Sequence, residues 1–426
     1  MKKVITYGTF DLFHQGHYNL LKRAKALGDW LIVGVTTDNF DLERGKMNTC
    51  DNMMERIEAV RATGLADQII IEEYKGQKIE DILKYDVDIF AIGSDWTGYF
   101  DYLKEYCEVV YLPRTEGISS TIIRQGRPAV SLGILGTSDS AKKFIPESKF
   151  VNSLPLSVAF DANPAACAEF CREFDIPVAA KSLEAFFQNC SAVYIATSCH
   201  EHYQYAKAAL NAGKHVLCET PFVLKKQEAE ELFKISENKG LVLMVALKTA
   251  YCPAFGRLVT LLKSGVIGEI VNINASVPAT LTESADFPLL PIFKLLGTDY
   301  QDIHFFTKGR NLDDSYLKVN MRYASSVASY EIGTGVKMDG NLTISGTKGY
   351  AYVPAPWWKT EFFEIRFDDS DQNKKYFYPF AGEGMRYEIK DFVSAILAER
   401  GSFSKITKKE CLMMAQIQET FFNKYN

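Results

Sequence analysis

The chain has 426 residues, which is too long for one ordinary domain and predicts about three. Its composition, 47% hydrophobic and 24% charged, is typical of a soluble globular protein that folds without disulfides or structural metals. The net charge of −5 excludes a chain-wide basic surface for nucleic acid, and the absence of any apolar run of about 18 residues argues against membrane insertion.

Cysteine usage and the first residues favour a cytoplasmic protein. The nine cysteines are odd in number and form no CxxC pair, so we expect reduced, mostly buried thiols. Cys167 and Cys171 lie one turn apart on a predicted helix, but without a nearby histidine they make a poor zinc site, and we predict no metal centre. The residues from Met1 to Gly8 lack the apolar segment of a signal peptide and are predicted to form a strand.

The first part of the chain alternates short apolar runs with helical patterns. Strands are predicted over 4–7, 31–35, 68–71, 89–92 and 109–112, with helices over 18–27, 53–63 and 79–85. This alternation indicates a parallel sheet covered on both faces, an α/β fold of the Rossmann-like type. We assign it to a first domain over residues 1–126.

The same rhythm restarts after Gly126 and then changes character near Cys252. Further strands are predicted over 130–136, 156–161, 192–196, 215–218 and 241–245, with a helix over 226–238. Beyond them, longer and largely antiparallel strands are predicted over 270–277, 316–323, 327–332, 340–345 and 362–367, before helices over 386–399 and 408–422. These patterns predict a second Rossmann domain over 129–250 and an α+β domain with an open sheet over 251–426.

Two histidines stand at the start of the first predicted helix. His14 and His17 are three residues apart and point toward one space, while Gly16 lets a ligand approach the backbone. Imidazoles beside a helix N-terminus suit a triphosphate that loses pyrophosphate, because negative charge grows on the transferred and leaving groups. The alternative is that both histidines are capping or surface residues, but the strand before them and the helix after them favour the phosphate site.

A second candidate phosphate site follows the last strand of this domain. Arg114, a turn glycine and three hydroxyl side chains between 115 and 121 enter a predicted helix and can cradle a phosphate. Any single hydroxyl there can equally be an ordinary helix cap. Arg44 and Lys46 lie in a polar loop between the two motifs, where such a charged pair is more often simply solvated.

Residues 1 to about 125 resemble the glycerol-3-phosphate cytidylyltransferase family of HxGH nucleotidyltransferases, through ITYGTFDLFHQGH, DIFAIGSDWTGYFD and RTEGISST. The resemblance implies that CTP and a polyol phosphate react, with Mg²⁺, to give a CDP-polyol and pyrophosphate. It implies catalytic roles for His14, His17, Lys46 and Arg114. It further implies a substrate-binding set made of Thr9, Phe10, Asp11, Gly16, Arg44, Lys78, Thr115, Glu116, Gly117, Ile118, Ser119, Ser120 and Thr121.

The roles implied within that set divide between the two substrates. Lys46 and Arg114 would offset charge on the β and γ phosphates of CTP, while the histidines would donate hydrogen bonds to the α-phosphate. Arg44 and Lys78 would hold the phosphate of the acceptor, with Arg44 in place of the more usual lysine. This chain departs from the family where 63–67 lacks an arginine and where Ser94 replaces a frequent acidic residue, and both departures can alter the acceptor.

A weak dinucleotide-binding signal opens the second domain. The turn Gly136–Ala141 matches GxGxxA with Ser138 at the second glycine, and Asp161 ends the next strand about 20 residues on, where an acid binds the adenosine ribose. The alternative for Asp161 is a simple turn residue at a strand end. This motif supplies the candidate cofactor-binding residues Gly133, Gly136, Thr137, Ser138 and Asp161, and the family resemblance described next implies His202 and Glu219 as well.

The region from about 129 to 426 resembles the Gfo/Idh/MocA oxidoreductase family, through AFDANP, the segment ALNAGKHVLCETP and the segment GVIGEI. The resemblance implies a Rossmann half that binds NAD(P), with His202 beside the nicotinamide, and an open sheet often used for oligomer contacts. The family's catalytic lysine is replaced by Thr220, and its aspartate and histidine fall on Leu295 and Asp299. Nearby Lys294, Tyr300 and His304 can substitute, or can be a solvated lysine, a core tyrosine and a helix-face histidine.

Three hypotheses follow. The first is a polyol-phosphate cytidylyltransferase with a catalytically altered oxidoreductase-like module, and it is favoured because the usual catalytic positions of that module are changed. The second is a bifunctional enzyme that reduces a keto-sugar phosphate with NAD(P)H and then cytidylylates the product. The third, a dinucleotide-binding or interaction protein with an inactive first domain, conflicts with the intact HxGH motif. We expect a homo-oligomer, and the family resemblance implies a role in making a cell-wall or capsular glycan.

Overall fold

The computed structural model describes residues 2–425 except 38–39, 42–48, 50, 52, 75, 114, 116–129, 152–153, 281–285, 310–314, 335, 379, 381 and 398–403. The chain divides into two compact units, Met1–Ala129 and Val130–Asn426. The further division of the second unit near residue 250 stays a prediction.

The first unit is a parallel sheet flanked by helices. Its elements are β1 (Lys3–Gly8), α1 (Gln15–Lys25), β2 (Trp30–Thr36), α2 (Met53–Ala62), β3 (Gln68–Glu72), α3 (Gln77–Tyr85), β4 (Ile89–Gly93) and β5 (Glu108–Leu112). The strand order is β3-β2-β1-β4-β5, and every pairing is parallel. The order reverses direction between β1 and β4, and ligands of such sheets bind at the carboxyl ends of the strands beside that switch point.

Alternating side chains of β1 build a core on both faces of this sheet. Val4 packs with Leu21 and Ala24 of α1 on one face, while Ile5 and Ile82 of α3 belong to the cluster on the other face. A strand that is apolar on both faces is typical of a parallel sheet with helices on each side. This packing fixes the carboxyl end of β1, and therefore the segment that follows it.

The second unit opens with another parallel sheet. Its elements are β6 (Leu132–Leu135), α4 (Asp139–Ser148), β7 (Leu156–Phe160), α5 (Pro164–Phe174), β8 (Val178–Ala179), α6 (Leu183–Gln188), β9 (Ala192–Ile195), α7 (Cys199–Asn211), β10 (His215–Glu219), α8 (Lys226–Lys239) and β11 (Leu243–Ala246). The strand order is β11-β10-β9-β6-β7-β8, with a switch point between β6 and β9. The strands and helices therefore form a doubly wound arrangement.

The rest of the second unit is built on an eight-stranded sheet. Its elements are α9 (Pro253–Lys263), β12 (Ile270–Val277), α10 (Leu289–Leu296), β13 (Asp302–Gly309), β14 (Ser315–Arg322), β15 (Val327–Gly333), β16 (Leu342–Gly346), β17 (Tyr350–Val353), β18 (Phe362–Arg366), β19 (Lys374–Phe377), α11 (Met385–Leu397) and α12 (Lys408–Tyr425). The order is β13-β14-β15-β12-β16-β17-β18-β19. The β12–β15 pair is parallel and the other pairs are antiparallel.

One apolar core runs through both parts of the second unit. A buried ion pair also joins them, since the guanidinium of Arg386 on α11 donates to both carboxylate oxygens of Glu147 on α4, with Nε to Oε2 at 2.9 Å. The Arg386 guanidinium also lies 3.8 Å from the ring centroid of Phe150. Helix α11 is therefore anchored to the first helix of the parallel sheet.

These observations confirm the predicted α/β class, with two parallel Rossmann-like sheets followed by a mixed sheet. The alternative considered for His304, a helix-face histidine, is wrong, because His304 lies on β13 and pairs across to Asn320 of β14. The eight cysteines within the described residues are free, and most of them are buried. In the same part of the chain, no helix is both long and apolar enough to cross a membrane.

Candidate functional site

The two histidines of the first unit lie directly after β1, beside its switch point with β4. His14 is the N-cap of α1, and its Nδ1 accepts a hydrogen bond from the backbone N–H of Gly16 at 3.0 Å. The rings of His14 and His17 are stacked, with centroids 3.9 Å apart and an angle of 17° between their planes. The two imidazoles therefore converge on one space, as their spacing in the sequence predicts.

The protonation state of His14 follows from these contacts. Burial lowers the pKa of His14, so its ring is neutral near pH 7. Because Nδ1 accepts from Gly16, the ring proton of the neutral form sits on Nε2. His14 therefore presents an Nε2–H donor rather than a base, and a neutral ring can stack closely on His17 without charge repulsion.

The backbone before the histidines is held in an unusual conformation. Phe10 and Leu12 have positive φ angles of 54° and 50°, a region that residues with a side chain seldom occupy. The Phe10 ring is buried and meets the His17 ring edge-on, with centroids 5.5 Å apart. Thr9 and Asp11 are also buried. The side chains of these three predicted substrate-binding residues therefore pack into the protein and help to fix the loop. Strain of this kind persists where surrounding contacts fix it, and it is common at functional sites.

A reciprocal clamp holds this loop against the start of α2. The backbone N–H of Asp51 donates to Oδ1 of Asp11 at 2.9 Å, and Oδ2 of Asp51 accepts from the N–H of Leu12 at 2.8 Å. Asp51 thus supports the residue with positive φ directly. Sequence reasoning missed Asp51, because the pairing joins segments about 40 residues apart in a way that no local pattern reveals.

A buried ion pair also supports this loop. Arg56 and Asp41 are fully buried, with 3.3 Å between the guanidinium NH1 and Oδ2. NH1 of Arg56 also donates to the backbone carbonyl of Thr9 at 2.8 Å, while Thr9 Oγ1 donates to Asp41 Oδ1 at 2.9 Å. The sequence carried one available signal, an arginine directly beside the apolar Ile57 of α2. The loop that leads to the histidine motif is therefore supported by a buried, desolvated ion pair.

The second predicted phosphate segment begins beside α1. Thr115 Oγ1 accepts a hydrogen bond from Nδ2 of Asn19 at 3.2 Å, and the guanidinium of Arg23 donates to the carbonyl of Pro113. Thr115 is therefore brought to the helix that the two histidines open. Several predicted residues lie outside the described part of the chain, namely Arg44, Lys46, Arg114, Glu116, Gly117, Ile118, Ser119, Ser120 and Thr121.

Lys78 is placed differently from the other predicted substrate-binding residues. It is buried at the start of α3, where its ammonium donates to the carboxylate of Glu72 and lies 4.5 Å from the ring centroid of Tyr7. Its role with an acceptor phosphate stays a prediction. Ser94 begins a short helical turn at the carboxyl end of β4, the strand at the switch point.

The second unit has a cleft at the switch point of its parallel sheet. The cleft has a volume of about 340 Å³. Its lining residues come from the carboxyl ends of three strands, the segments that follow them, and helix α7: Leu135, Gly136, Thr137, Ser138, Phe160, Asp161, Ala162, Ala196, Thr197, Ser198, Glu201 and Tyr205. Gly136 has a φ of 99°, and a side chain there would come within 2.5 Å of the carbonyl oxygen of Ala196. The cleft therefore needs glycine at this position.

Asp161 closes the phosphate turn of this cleft. Its Oδ2 accepts from both the backbone N–H and the hydroxyl of Thr137, at 3.0 and 2.8 Å, and its Oδ1 accepts from the N–H of Asn163. Ser138 caps α4 by accepting from the N–H of Ala141. The helix N-terminus that faces the cleft suits an anionic ligand such as a pyrophosphate. The residues present therefore fit a dinucleotide.

Three other predicted cofactor-binding residues lie outside this lining. Gly133 is inside β6, where a side chain would come within 2.6 Å of the Phe186 ring. His202 is buried, with its ring nitrogens 2.8 Å from the carbonyl oxygen of Pro221 and 3.1 Å from that of Thr197. Glu219 ends β10 and accepts from the hydroxyl of Tyr194. Their parts in cofactor binding stay predictions.

The residues proposed as catalytic substitutes in the second unit are engaged elsewhere. The ammonium of Lys294 lies 2.7 Å from the carboxylate of Glu410, and His304 pairs with Asp302 at 3.0 Å while mostly exposed. Tyr300 is partly buried, and burial raises its pKa. Asp299, at the position of the family histidine, is exposed and paired with Lys409 at 2.8 Å.

Comparison with known proteins separates the two units. Residues 5–126 match the model of the cytidylyltransferase-like family, and residues 130–247 match that of an oxidoreductase family with an NAD-binding Rossmann fold. Glycerol-3-phosphate cytidylyltransferase of Bacillus spizizenii is 56% identical over 125 residues, which are 29% of this chain and 96% of that protein.

The second unit has more distant relatives. Trans-1,2-dihydrobenzene-1,2-diol dehydrogenase of Sus scrofa is 26% identical over 282 residues, which are 59% of this chain and 83% of that protein. The structure of levoglucosan dehydrogenase in complex with NADH and levoglucosan superposes with a TM-score of 0.61 at 19% identity, covering 70% of this chain and 97% of that one. This second similarity shows the fold alone.

Proposed function

The chain belongs, through its first unit, to the cytidylyltransferase family of the glycerol-3-phosphate type, and from that premise we propose that it forms a CDP-polyol and pyrophosphate from CTP and a polyol phosphate. The observation that carries this proposal is the stacked pair of His14 and His17 at the switch point of the first sheet. Glycerol phosphate is the acceptor we favour, because the relatives with 50–56% identity carry that name.

The reaction needs alignment and charge stabilisation more than base catalysis. An oxygen of the acceptor phosphate, already anionic near neutral pH, attacks the α-phosphorus of CTP while the bond to the bridging oxygen of the leaving pyrophosphate breaks. Nε2–H of His14 and the ring of His17 donate hydrogen bonds to oxygens on which negative charge accumulates. Such donors act without any proton leaving the protein.

The cationic part of the site completes this scheme. Lys46 and Arg114 stabilise the charge of the leaving pyrophosphate, and Arg44 and Lys78 hold the acceptor phosphate. The hydroxyl segment 115–121 binds CTP with Thr115 fixed beside α1. Mg²⁺ bound with CTP would neutralise phosphate charge. A CDP-polyol of this kind is a donor for cell-wall or capsular glycans, and we propose that it is used there.

A second candidate function belongs to the second unit. We propose that its cleft binds NAD(P), because Gly136, Thr137 and Asp161 form a turn that suits a pyrophosphate and a ribose. The changed residues Thr220, Leu295 and Asp299 make any reduction there depend on other groups. A reductase acting on a keto-polyol phosphate would supply the acceptor of the first unit, which is a chemical reason for the two units to share a chain.

The test of the first proposal is pyrophosphate release from CTP by the full chain, with glycerol, erythritol and ribitol phosphates offered in turn. We expect release with at least one of them, with the largest kcat/KM for glycerol phosphate. Release that does not depend on any polyol phosphate would contradict the assignment. Quenching of NADH fluorescence on addition of the protein tests cofactor binding separately.

A further inference from the structure

The second unit contains two acidic side chains with unusual surroundings, Glu219 at the carboxyl end of β10 and Glu388 on α11. Glu388, on α11, is 0% exposed, and within the described residues neither of its carboxylate oxygens has a hydrogen-bond partner. Glu219, partly exposed at the end of β10, accepts from the hydroxyl of the buried Tyr194 and from the N–H of Thr220 at 3.3 Å. A buried acid without a partner is costly to ionise, so such groups are seldom kept without a use.

The surroundings of these two acids favour their protonated forms. Burial raises the pKa of both Glu219 and Glu388, and the charge of Glu219 raises that of Glu388 further. The nearby Glu147 acts in the same direction on Glu388, while Lys248 lowers the pKa of both acids and Lys143 lowers that of Glu219. Because Glu388 is fully buried and neither of its oxygens is hydrogen-bonded within the described residues, its neutral, proton-carrying form is favoured over its charged form.

Lys248 begins the short helical turn Lys248–Tyr251, which packs against α11, the helix of Glu388. It lies two residues beyond β11, whose Ala246 pairs in register with Glu219, so the two side chains start from neighbouring strand ends. The side chain of Lys248 is 13% exposed, and its ammonium lies 3.7 Å from Glu383 Oε2, which Lys359 also contacts at 2.7 Å. Ligands of open parallel sheets bind outside such strand ends.

We propose that Lys248, together with the Glu219–Glu388 pair, is the proton-donating site of the second unit. The proposal rests on the second candidate function, reduction of a carbonyl with NAD(P)H. Hydride from NAD(P)H bonds to the carbonyl carbon, and the carbonyl oxygen takes a proton from the Lys248 ammonium. The neutral amine then takes the proton held by the carboxyl pair, which is replaced from water. The products are an alcohol and NAD(P)⁺.

The charges around Lys248 indicate the class of carbonyl compound. Lys248 and Lys359 contact the single carboxylate of Glu383, and Lys143 lies near enough to lower the pKa of that carboxyl as well. Two ammonium groups on one carboxylate, with a third lysine near enough to act on it, favour an anionic substrate. A ketone carrying a phosphate fits, and dihydroxyacetone phosphate is the probe whose reduction gives glycerol phosphate.

The first test reads the stored proton without any turnover. Infrared spectra of the full chain at neutral pH should contain a protonated-carboxyl C=O band that disappears in Glu388→Gln. The band should persist in Glu237→Gln, which removes an exposed carboxylate paired with Lys408. A spectrum of the wild-type chain without this band, or a band unchanged by Glu388→Gln, overturns the proposal.

The second test reads the transfer itself, through NADPH and NADH absorbance with dihydroxyacetone phosphate. Lys248→Met should lower the rate about a hundredfold or more while NADH fluorescence titration shows unchanged binding. Glu388→Gln should lower the rate less and should remove the decline that the wild-type rate shows as pH rises and the pair loses its proton. Lys408→Met, an exposed lysine of the same unit, serves as the control.

The outcomes separate this inference from the function on which it rests. A wild-type chain that binds NADH and oxidises none with dihydroxyacetone phosphate defeats both the reductase function and the proton-donating role. An active wild-type chain whose rate survives Lys248→Met defeats the proton-donating role alone. A loss of rate that accompanies a loss of NADH binding also contradicts it, because a structural role would then explain the result.

Discussion

Both units have a candidate ligand site at the switch point of a parallel sheet, but the residues proposed to carry the chemistry lie in different places. In the first unit the proposed reacting groups, His14 and His17, stand on the loop and at the helix start that follow β1, and a buried ion pair supports that loop. In the second unit the cleft contains the phosphate turn, while the proposed proton-donating groups lie outside its lining and include the fully buried Glu388. The comparison teaches that this shared architecture fixes where a ligand binds and leaves the chemistry to individual residues.

The largest expected effect concerns the buried ion pair of Arg56 and Asp41 beneath the first site. Arg56→Met leaves Asp41 as an unpaired buried carboxylate, which should destabilise the first unit by about 3–5 kcal/mol. Denaturant unfolding followed by circular dichroism measures this, with Arg61→Met as the control because Arg61 is exposed. If the two variants are equally stable, the buried ion pair does not stabilise the first unit, and this difference between the two units disappears.

The next effect concerns the reacting groups themselves. His17→Ala removes one donor to the developing charge, so turnover should fall by on the order of a hundredfold, equivalent to about 3–4 kcal/mol of barrier. Pyrophosphate release measures it, and His200→Ala, which removes an exposed histidine of the second unit, should leave the rate unchanged. A rate that survives His17→Ala would mean that the first unit does not keep its chemistry on this loop.

A smaller effect should come from the clamp between Asp51 and the motif. Asp51→Ala removes the acceptor for the N–H of Leu12, whereas Asp51→Asn keeps an oxygen there. We expect the alanine variant to lower kcat about tenfold, corresponding to ~1–2 kcal/mol, with little change in KM for CTP, and the asparagine variant to recover most of the loss. Equal losses in both variants, or a change confined to KM, would contradict a positioning role.

The smallest effect belongs to the cleft of the second unit. Asp161→Ala removes the acceptor for both the N–H and hydroxyl of Thr137, and should weaken NADH binding by about tenfold, or ~1.5 kcal/mol. Fluorescence titration measures it, with the exposed Glu173→Gln as the control. Pyrophosphate release by the same variant should be unaltered. Unchanged affinity for NADH would show that the cleft does not use its phosphate turn.

The ionisation of His14 offers a check of the mechanism across pH. Because burial lowers its pKa, His14 should stay neutral below the usual value of about 6.5 and titrate only in more acidic solution. Its stabilising contribution is therefore present above that value and is lost as pH falls. Nitrogen-detected NMR should show the Nε2–H form at neutral pH, and a protonated ring there would contradict the donor geometry.

Local patterns in the sequence predicted how the two histidines of the first unit are placed. The strand, the histidine spacing and the helix start lie within about ten residues, so periodicity and turn chemistry were sufficient to bring His14 and His17 together. Arg56 and Asp51 escaped prediction because their partners become neighbours only when α2 closes over the loop. Glu388 reads in the sequence as an ordinary helical glutamate, and its burial is a property of packing between distant elements.

The alternative of a helix-face position for His304 fails for the same reason. Pairing along the whole length of β14 makes this segment a strand. Tertiary hydrogen bonding overrides local preference in this way, especially in sheets. The predicted cofactor role of Gly133 stays a prediction, and its close packing against Phe186 is an independent reason for a glycine at this position.

The ion pair between Glu147 and Arg386 limits how the chain can be divided into fragments that fold. Its members stand 239 residues apart, one near the start of the second unit and one near its end. A fragment that stops at residue 250 would retain a desolvated carboxylate without its counter-charge and would expose the apolar surface that α11 covers. The cytidylyltransferase unit, Met1–Ala129, can therefore be exchanged as a module. The second unit, Val130–Asn426, must be transferred in one piece.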